Sequence, residues 1–230
     1  MAWRVCCSRS SYIAPGHSSR AIHIIAPESP GREMPVPTLH LASSSPRRGA
    51  ILERMGLDFT AGGVDIDEQR HAGESPDIMV VRLAIEKAGA TMCPPETIII
   101  GADTAVVLGG EVFGKPRDEA DGLRMLLALS GRRHEVMTGV AVQSGEAVQS
   151  VLSVTEVKFR EIGPDEALEY WQSGEPGDKA GAYAIQGLAG AFVESVTGSY
   201  TGVVGLPVIE TARLLRAAGI EPAAGLKDEL

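Results

Sequence analysis

Leu41-Ala42-Ser43-Ser44-Ser45-Pro46-Arg47-Arg48 is the stretch that decides how this chain is read. The apolar run at 38–42 suits a short buried strand. It gives way to three hydroxyl residues, a proline and two arginines. Ile51, Leu52 and Met55 then recur at helical spacing until Gly56 ends the run. Ser45 is placed as the N-cap and Pro46 as the first helical residue, where its missing N–H costs nothing. Strand, hydroxyl-rich turn and helix N-terminus together make an anion site. Free backbone N–H groups and the helix dipole point at the ligand. Arg47 and Arg48 add planar donor forks that match phosphate oxygens. The stretch therefore reads as a phosphate cradle. Taken alone, Ser-Pro-Arg-Arg is equally compatible with a basic surface turn, a phosphorylation site or part of a nucleic-acid-binding tail.

Composition narrows these alternatives. The chain has 230 residues, 44% hydrophobic and 22% charged, which suits one α/β domain, with room for two lobes. Aromatic residues make up only 4%, so the core must be built from Val, Ile, Leu and Ala. No apolar run approaches the ~18 residues of a membrane span. Net charge is −9; residues 1–33 hold four arginines against two glutamates, which leaves about −11 on the remainder. Such an acidic body argues against a general nucleic-acid binder, whose footprint is basic. It leaves room for a small phosphate ligand where a few cations converge. Cys6, Cys7 and Cys93 give neither a disulfide framework nor a zinc site, and point to a reducing cytoplasm.

Residues 1–33 are rich in Ser, Arg and Pro and lack a sustained period, so they are expected to be a disordered extension. They are either transit-like or a mis-called start ahead of Met34. The folded domain is expected at 34–220, with 221–230 as a flexible tail. Lys227-Asp228-Glu229-Leu230 matches an ER-retention signal, but without a signal peptide it reads as coincidence. Within the domain, 58–67 reads as a strand kinked at Gly62-Gly63. Ser75 starts a helix running to about Ala90, with Ile78, Val81, Ala84, Ile85 and Ala88 as its buried stripe. The β-branched run at 97–100 reads as a central strand that delivers Asp103 and Thr104 near its end, where α/β folds place ligands. A hairpin follows around Gly109-Gly110. Asp118 then caps a helix through Leu123, Leu126, Leu127 and Leu129. Two long strands cover 136–142 and 148–159. A helix opens at Pro164 with Ala167, Leu168 and Trp171 inward, a strand covers 191–196, and a last helix covers 207–218. His134, lone before a strand, reads as structural.

The stretch 41–59 resembles the opening signature of the Maf family of nucleoside triphosphate pyrophosphatases. Seven further blocks match in order: DIDEQR at 65–70, VVRLAIEKA at 80–88, GADTAVVL at 101–108, GKPRDEA at 114–120, LSGRRHEVMTGVAV at 129–142, DKAGAYAIQGLAG at 178–190 and GSYTGVVGLP at 198–207. The resemblance covers about residues 36–216. It implies a Maf/Ham1-like (ITPase-like) α/β fold, a twisted mixed sheet flanked by helices with two lobes around a central cleft. It also implies a homodimer.

It implies site residues as well. Ser43, Ser45, Arg47, Arg48, Lys87, Thr104, Lys115 and Gln186 would bind the substrate. Asp103 would be the general base, and Glu68 with Asp103 would hold Mg²⁺ or Mn²⁺. Asp65 and Asp67 are expected to be solvated. Gln186 has a paired donor and acceptor able to read a base edge. The branch of the family acting on dTTP and UTP carries an arginine after Ser-Pro, Ala-Asp-Thr in the central motif and a glutamine of the AIQG type. This chain matches all three at Arg47, Thr104 and Gln186. Ser44, where some relatives carry glycine, is a conservative departure. The 7-methyl-GTP branch resembles SPWR, SDQ and an SEG-type glutamate, none of which is present. The expected activity is hydrolysis of dTTP and UTP to the monophosphate and pyrophosphate. The alternatives are the 7-methyl-GTP activity, a non-catalytic nucleotide-binding regulator of septum formation, and a nucleic-acid binder using SPRR with Arg132-Arg133.

Overall fold

Residues 98–108 form a single strand in the computed structural model, which describes residues 38–223. The Ser/Arg-rich first 33 residues and the Lys-Asp-Glu-Leu ending lie outside the described residues. The order is β1 (Leu39–Leu41), α1 (Pro46–Arg54), β2 (Thr60–Ala61), α2 (Pro76–Gly89), β3 (Ile98–Leu108), β4 (Glu111–Phe113), α3 (Glu119–Leu129), β5 (Arg133–Ser144), β6 (Ala147–Phe159), α4 (Pro164–Gln172), β7 (Val193–Thr197), α5 (Tyr200–Val204) and α6 (Val208–Ala217). Three 3-10 turns, Pro176–Asp178, Ala180–Ala182 and Leu188–Phe192, precede β7.

The seven strands make one mixed sheet in the order β2-β1-β3-β5-β6-β7, with β4 also on β3. β1 runs parallel to β2 and β3, and the other pairings are antiparallel. β5 covers one edge of β3 from Ile98 to Val107. β1 and β4 must therefore share the opposite edge. β1 takes Ile98 to Ile100, and β4 takes Val106 to Leu108. Between them, residues 101–105 have no strand partner on that edge among the described residues. The sheet forks there, and Asp103 and Thr104 lie in the fork. Both were expected near a strand end. They sit in mid-strand instead, because β4 extends the pairing beyond them.

The apolar core divides at the same level. On one face of the sheet, Ile98, Ile100, Ala102, Val140 and Val142 pack with β1, α1 and α6. Val106, Val136, Val157 and Phe159 pack with α3, α4 and Tyr183 on the same face. Between these two clusters lies the cross-strand pair Thr104–Thr138. On the other face, Ile99 and Ala141 form one cluster with Ala84 and Ala88, while Ala105 and Val107 form another with Met79, Val80 and Leu83. Asp103, opposite Gly139, lies between them. A polar seam thus crosses both faces and separates two apolar halves, the physical basis of two lobes.

Helix α2 lies directly on sheet backbone. A Cβ on Gly101 would stand 2.0 Å from the Ala84 carbonyl oxygen, and one on Gly139 would stand 2.3 Å from that of Val80. The ridge Val80–Ala84–Ala88, spaced four residues apart, fits those gaps. The next ridge, Met79–Leu83–Lys87, turns inward beside it. This corrects the expected stripe in part: Ala84 and Ala88 are buried as expected, but Ile78 is 59% exposed and Ile85 36%. Periodicity reported the right helix with the wrong phase, because close approach to glycine outweighs burial of two isoleucines.

Other expectations shift for local reasons. The strand at 58–67 contracts to Thr60–Ala61, since β1 ends at Leu41 and the Gly62 amide bonds to its carbonyl. Ser45 takes the N-cap position with an extended backbone, but its hydroxyl caps nothing. Asp118 does cap α3, accepting from the Asp121 amide at 2.8 Å. Leu127 is 39% exposed, so the buried face of α3 runs through Met125, Leu126 and Leu129. In α4 the buried aromatic is Tyr170; Trp171 lies across Gly122 of α3. Residues 188–192 form a 3-10 turn, so the last strand begins at Val193. Packed chain also continues past the expected boundary at 220: Pro222 is buried and the Ala223 amide bonds to the Met55 carbonyl.

Gly101→Ala should destabilise by about 3 kcal/mol or more, the upper end of overpacking costs, because the obstacle is backbone. Gly163→Ala, where nothing lies within 4 Å of the added carbon, should stay within about 1 kcal/mol of wild type. Urea unfolding of both variants reads the contrast.

Candidate active site

The fork opens into a cleft of about 870 Å³. All ten site residues expected from the sequence line it: Ser43, Ser45, Arg47, Arg48, Glu68, Lys87, Asp103, Thr104, Lys115 and Gln186. They come from six separate segments, gathered by the open edge of β3.

Three charged groups meet on the α2 side. Lys87 points inward from the second ridge of α2, and its Nζ donates to Asp103 Oδ1 at 2.7 Å. The same ammonium pairs with Glu68 Oε1 at 2.7 Å. Burial pushes the Glu68 carboxyl up, but its bond to Lys87, with Lys115 and Arg48 beyond, holds it below its ordinary range. Two carboxylates against one ammonium leave a net negative charge. The second oxygen of Asp103 has no partner among the described residues. Glu68 is carried by the segment after Gly63, which a bidentate pair ties down: Arg82 Nε and Nη2 meet the Glu74 carboxylate at 2.7 and 2.9 Å. Asp65 and Asp67 are exposed, as expected.

The opposite face carries Arg48. Its Nε donates to the Gly205 carbonyl at 2.9 Å, Nη1 to Ser43 Oγ at 3.1 Å and Nη2 to Thr104 Oγ1 at 3.2 Å. All three acceptors are neutral. The guanidinium is fixed in place with no carboxylate hydrogen-bonded to it, and the Asp103 and Glu68 carboxylates act on it only at longer range. Burial lowers its pKa, and Asp103 works in the opposite direction. Thr138 Oγ1 donates to the Gly202 carbonyl at 2.8 Å, so it accepts the proton of Thr104 Oγ1 at 3.0 Å. The chain Arg48–Thr104–Thr138–Gly202 therefore has one consistent direction. Thr104 orients Arg48 with a hydroxyl whose own proton is already committed.

Ser43 also accepts from the Ser45 amide at 3.2 Å and keeps its hydroxyl proton to give. No side chain caps α1, so its first N–H groups face the cleft. Arg47 Nη1 reaches Asp178 Oδ2 at 3.4 Å, and Asp178 also pairs with Lys179. Lys115 and Gln186 are exposed and have no hydrogen bond or ion pair among the described residues. Arg70, Asp178 and Lys179 line the cleft too, although no role was expected for them. Their motifs are legible at 65–70 and 178–190, but Arg47 and Asp178 stand 131 positions apart.

His134 lies away from the cleft, 2% exposed, edge-on to Phe159 and Tyr183, with Nε2 2.9 Å from the Tyr183 hydroxyl. Its Nδ1 is buried without a hydrogen-bond partner among the described residues. Burial lowers its pKa to about 4, which fits the structural role expected for it.

The arrangement suits hydrolysis of a phosphoanhydride. Arg47, Arg48, Lys87 and Lys115 bring cations to the space, Arg48 among them held by three hydrogen bonds, and one oxygen of Asp103 has no partner among the described residues. Comparison with known proteins points the same way. A model of the family "Maf-like protein" matches residues 38–218. A protein of Saccharophagus degradans named dTTP/UTP pyrophosphatase is 53% identical over 184 residues, covering 78% of this chain and 88% of the relative. One of Vibrio cholerae with the same name is 50% identical, covering 79% and 98%. One of Methylococcus capsulatus is 48% identical, covering 80% and 93%. A solved HAM1 protein from Coxiella burnetii aligns with TM-score 0.40 at 18% identity, over 54% of this chain and 73% of that one.

The buried His134 sets a pH dependence. Between pH 6.5 and about 4, the unfolded chain takes up a proton that the native histidine refuses, so stability falls as pH drops through that window. The shift is worth about 3 kcal/mol. His134→Phe should be less stable at pH 7 and should lose this part of the slope. Urea unfolding at pH 7, 5.5 and 4 measures both.

Proposed function

We propose that this chain, which belongs to the Maf-like protein family, hydrolyses nucleoside triphosphates between the α- and β-phosphates, with dTTP and UTP preferred. The observation that carries the reading is the fork in the sheet. There Arg48, held only by neutral groups, and the Lys87-bound Asp103 face the same cleft from opposite sides of β3.

In this reading Arg47, Arg48 and Lys115 neutralise the triphosphate, with Ser43, Ser45 and the first N–H groups of α1 as further donors. Asp103 is oriented by Lys87 through Oδ1 and takes a proton from water on its free oxygen. The water oxygen attacks the α-phosphorus. The bond to the bridging oxygen breaks, and pyrophosphate leaves with that electron pair. Most of the protein's contribution is positioning and electrostatics. Gln186 presents an amide donor and acceptor to the imide edge shared by uracil and thymine.

Mg²⁺ or Mn²⁺ belongs to the proposal. Among the described residues, no group of three His, Cys, Asp or Glu side chains could hold a metal alone. Glu68 and Asp103 do offer two carboxylates with net negative charge, which suits an ion completed by water and substrate phosphates. Bound there, it would polarise phosphoryl oxygens. Among the described residues no helix is long and apolar enough to cross a membrane. The reading further places the enzyme in the cytoplasm as a homodimer, on cysteine usage and family likeness respectively.

Pyrophosphate release from dTTP, UTP, CTP, GTP, ATP and 7-methyl-GTP tests this. Wild type should favour dTTP and UTP, stop with EDTA and recover with Mg²⁺. Asp103→Asn should lower kcat by about 10²- to 10⁴-fold with the fold intact by circular dichroism. Turnover centred on 7-methyl-GTP would overturn the substrate assignment, and no turnover of any nucleotide would overturn the enzyme.

A further inference from the structure

Gln186 has no hydrogen-bond partner among the described residues, yet the chain on both sides of it is held from behind. The Tyr170 hydroxyl accepts from the Ala184 amide at 3.2 Å and donates to Glu175 Oε1 at 2.7 Å. Glu175 Oε2 accepts from the Leu188 amide at 3.0 Å, and Oε1 from the Ala189 amide at 3.4 Å. Both side chains act from outside the nucleotide cleft, since neither lines it. One hydroxyl and one carboxylate therefore clamp main-chain N–H groups at 184, 188 and 189, with Gln186 between them.

The clamp leaves little freedom. Gly187 lies so close that a Cβ there would be 2.1 Å from Glu175 Oε2. Ala184 and Ile185 are buried, and Ala182 just before them takes a left-handed backbone at φ 57. A non-glycine residue persists in that region only where its surroundings over-determine it. The other end of the clamp is equally fixed. Trp171, next to Tyr170, lies against α3 where Gly122 has no side chain; a Cβ there would be 2.3 Å from the ring. The clamp thus joins a rigid helix pair to the single exposed amide on this wall of the cleft.

We propose that the Tyr170–Glu175 pair is a positioning device for Gln186, and that it sets discrimination among nucleobases without touching the nucleotide. The inference rests on the reading that Gln186 meets the base. A glutamine reads a base edge only when its amide stands in one place, and a hydrogen-bonding site rejects the wrong partner only when it cannot adapt. The conformational entropy of the 184–189 segment is removed by the clamp before the nucleotide arrives.

A double-mutant cycle tests it, with Glu175→Gln, Gln186→Ala and the pair. In the wild-type background, Glu175→Gln should lower kcat/KM for dTTP by about 10-fold, the scale of one misplaced hydrogen bond, and reduce the dTTP/CTP preference by a similar factor. Inhibition by pyrophosphate, which has no base, should be unchanged. In the Gln186→Ala background the same substitution should have little further effect. If the two effects add, or if pyrophosphate inhibition weakens equally, Glu175 is merely structural and the inference is overturned. Should Glu175→Gln fail to fold, Tyr170→Phe removes one hydroxyl and runs the same cycle. Wild type that turns over no base selectively would instead overturn the underlying reading of the site.

Discussion

Helix α2 rests on bare backbone, and the cleft depends on that contact. Without a side chain at Gly101 and Gly139, the Val80–Ala84–Ala88 ridge can touch the sheet itself. Only at that distance does Lys87, one position before Ala88, reach Asp103 Oδ1 at 2.7 Å. The cost is visible at Ile78 and Ile85, which the same rotation leaves exposed. A helix placed for packing alone would bury the isoleucines and turn the lysine outward.

The seam that crosses the core follows from the same arrangement. β3 pairs continuously with β5, but its other edge is shared by two short strands with a gap between them. Polar side chains in that gap open onto water and ligand and so avoid the penalty of full burial. Asp103 leaves toward α2 and Thr104 toward α1, so one pair of adjacent residues supplies both walls. The two walls are charged differently. The Lys87 side carries an excess of carboxylate, which suits a divalent cation. The Arg48 side carries a positive charge fixed by a carbonyl and two hydroxyls, which suits phosphate. The triphosphate and divalent cation proposed above would be complementary to both.

Much of this was legible in the chain. The cradle at 41–48 showed itself through the order of strand, hydroxyls, proline and periodic helix, all of them local signals. The residues expected at the site came from ordered motif blocks, and each of them lines the cleft. Three things were not legible, for physical reasons. The phase of α2 is set by glycines 13 to 59 positions away from the residues they meet, which periodicity does not weigh. The mid-strand position of Asp103 depends on where β1 stops and β4 starts, and both are tertiary facts. The contacts of Asp178 with Arg47 and of Glu175 with the 188 and 189 amides join residues 13 to 131 positions apart, and no local signal carries them.

The central claim is that the fork in the sheet seats a pyrimidine nucleoside triphosphate with its metal. A crystal structure with Mn²⁺ and a dUTP analogue bearing a non-hydrolysable α,β-imido bridge tests it most directly. The account predicts phosphates among Arg47, Arg48 and Lys115, anomalous Mn²⁺ signal at Glu68 and Asp103, and the uracil edge on Gln186. A nucleotide seated outside the fork, or metal signal away from those two carboxylates, would contradict it.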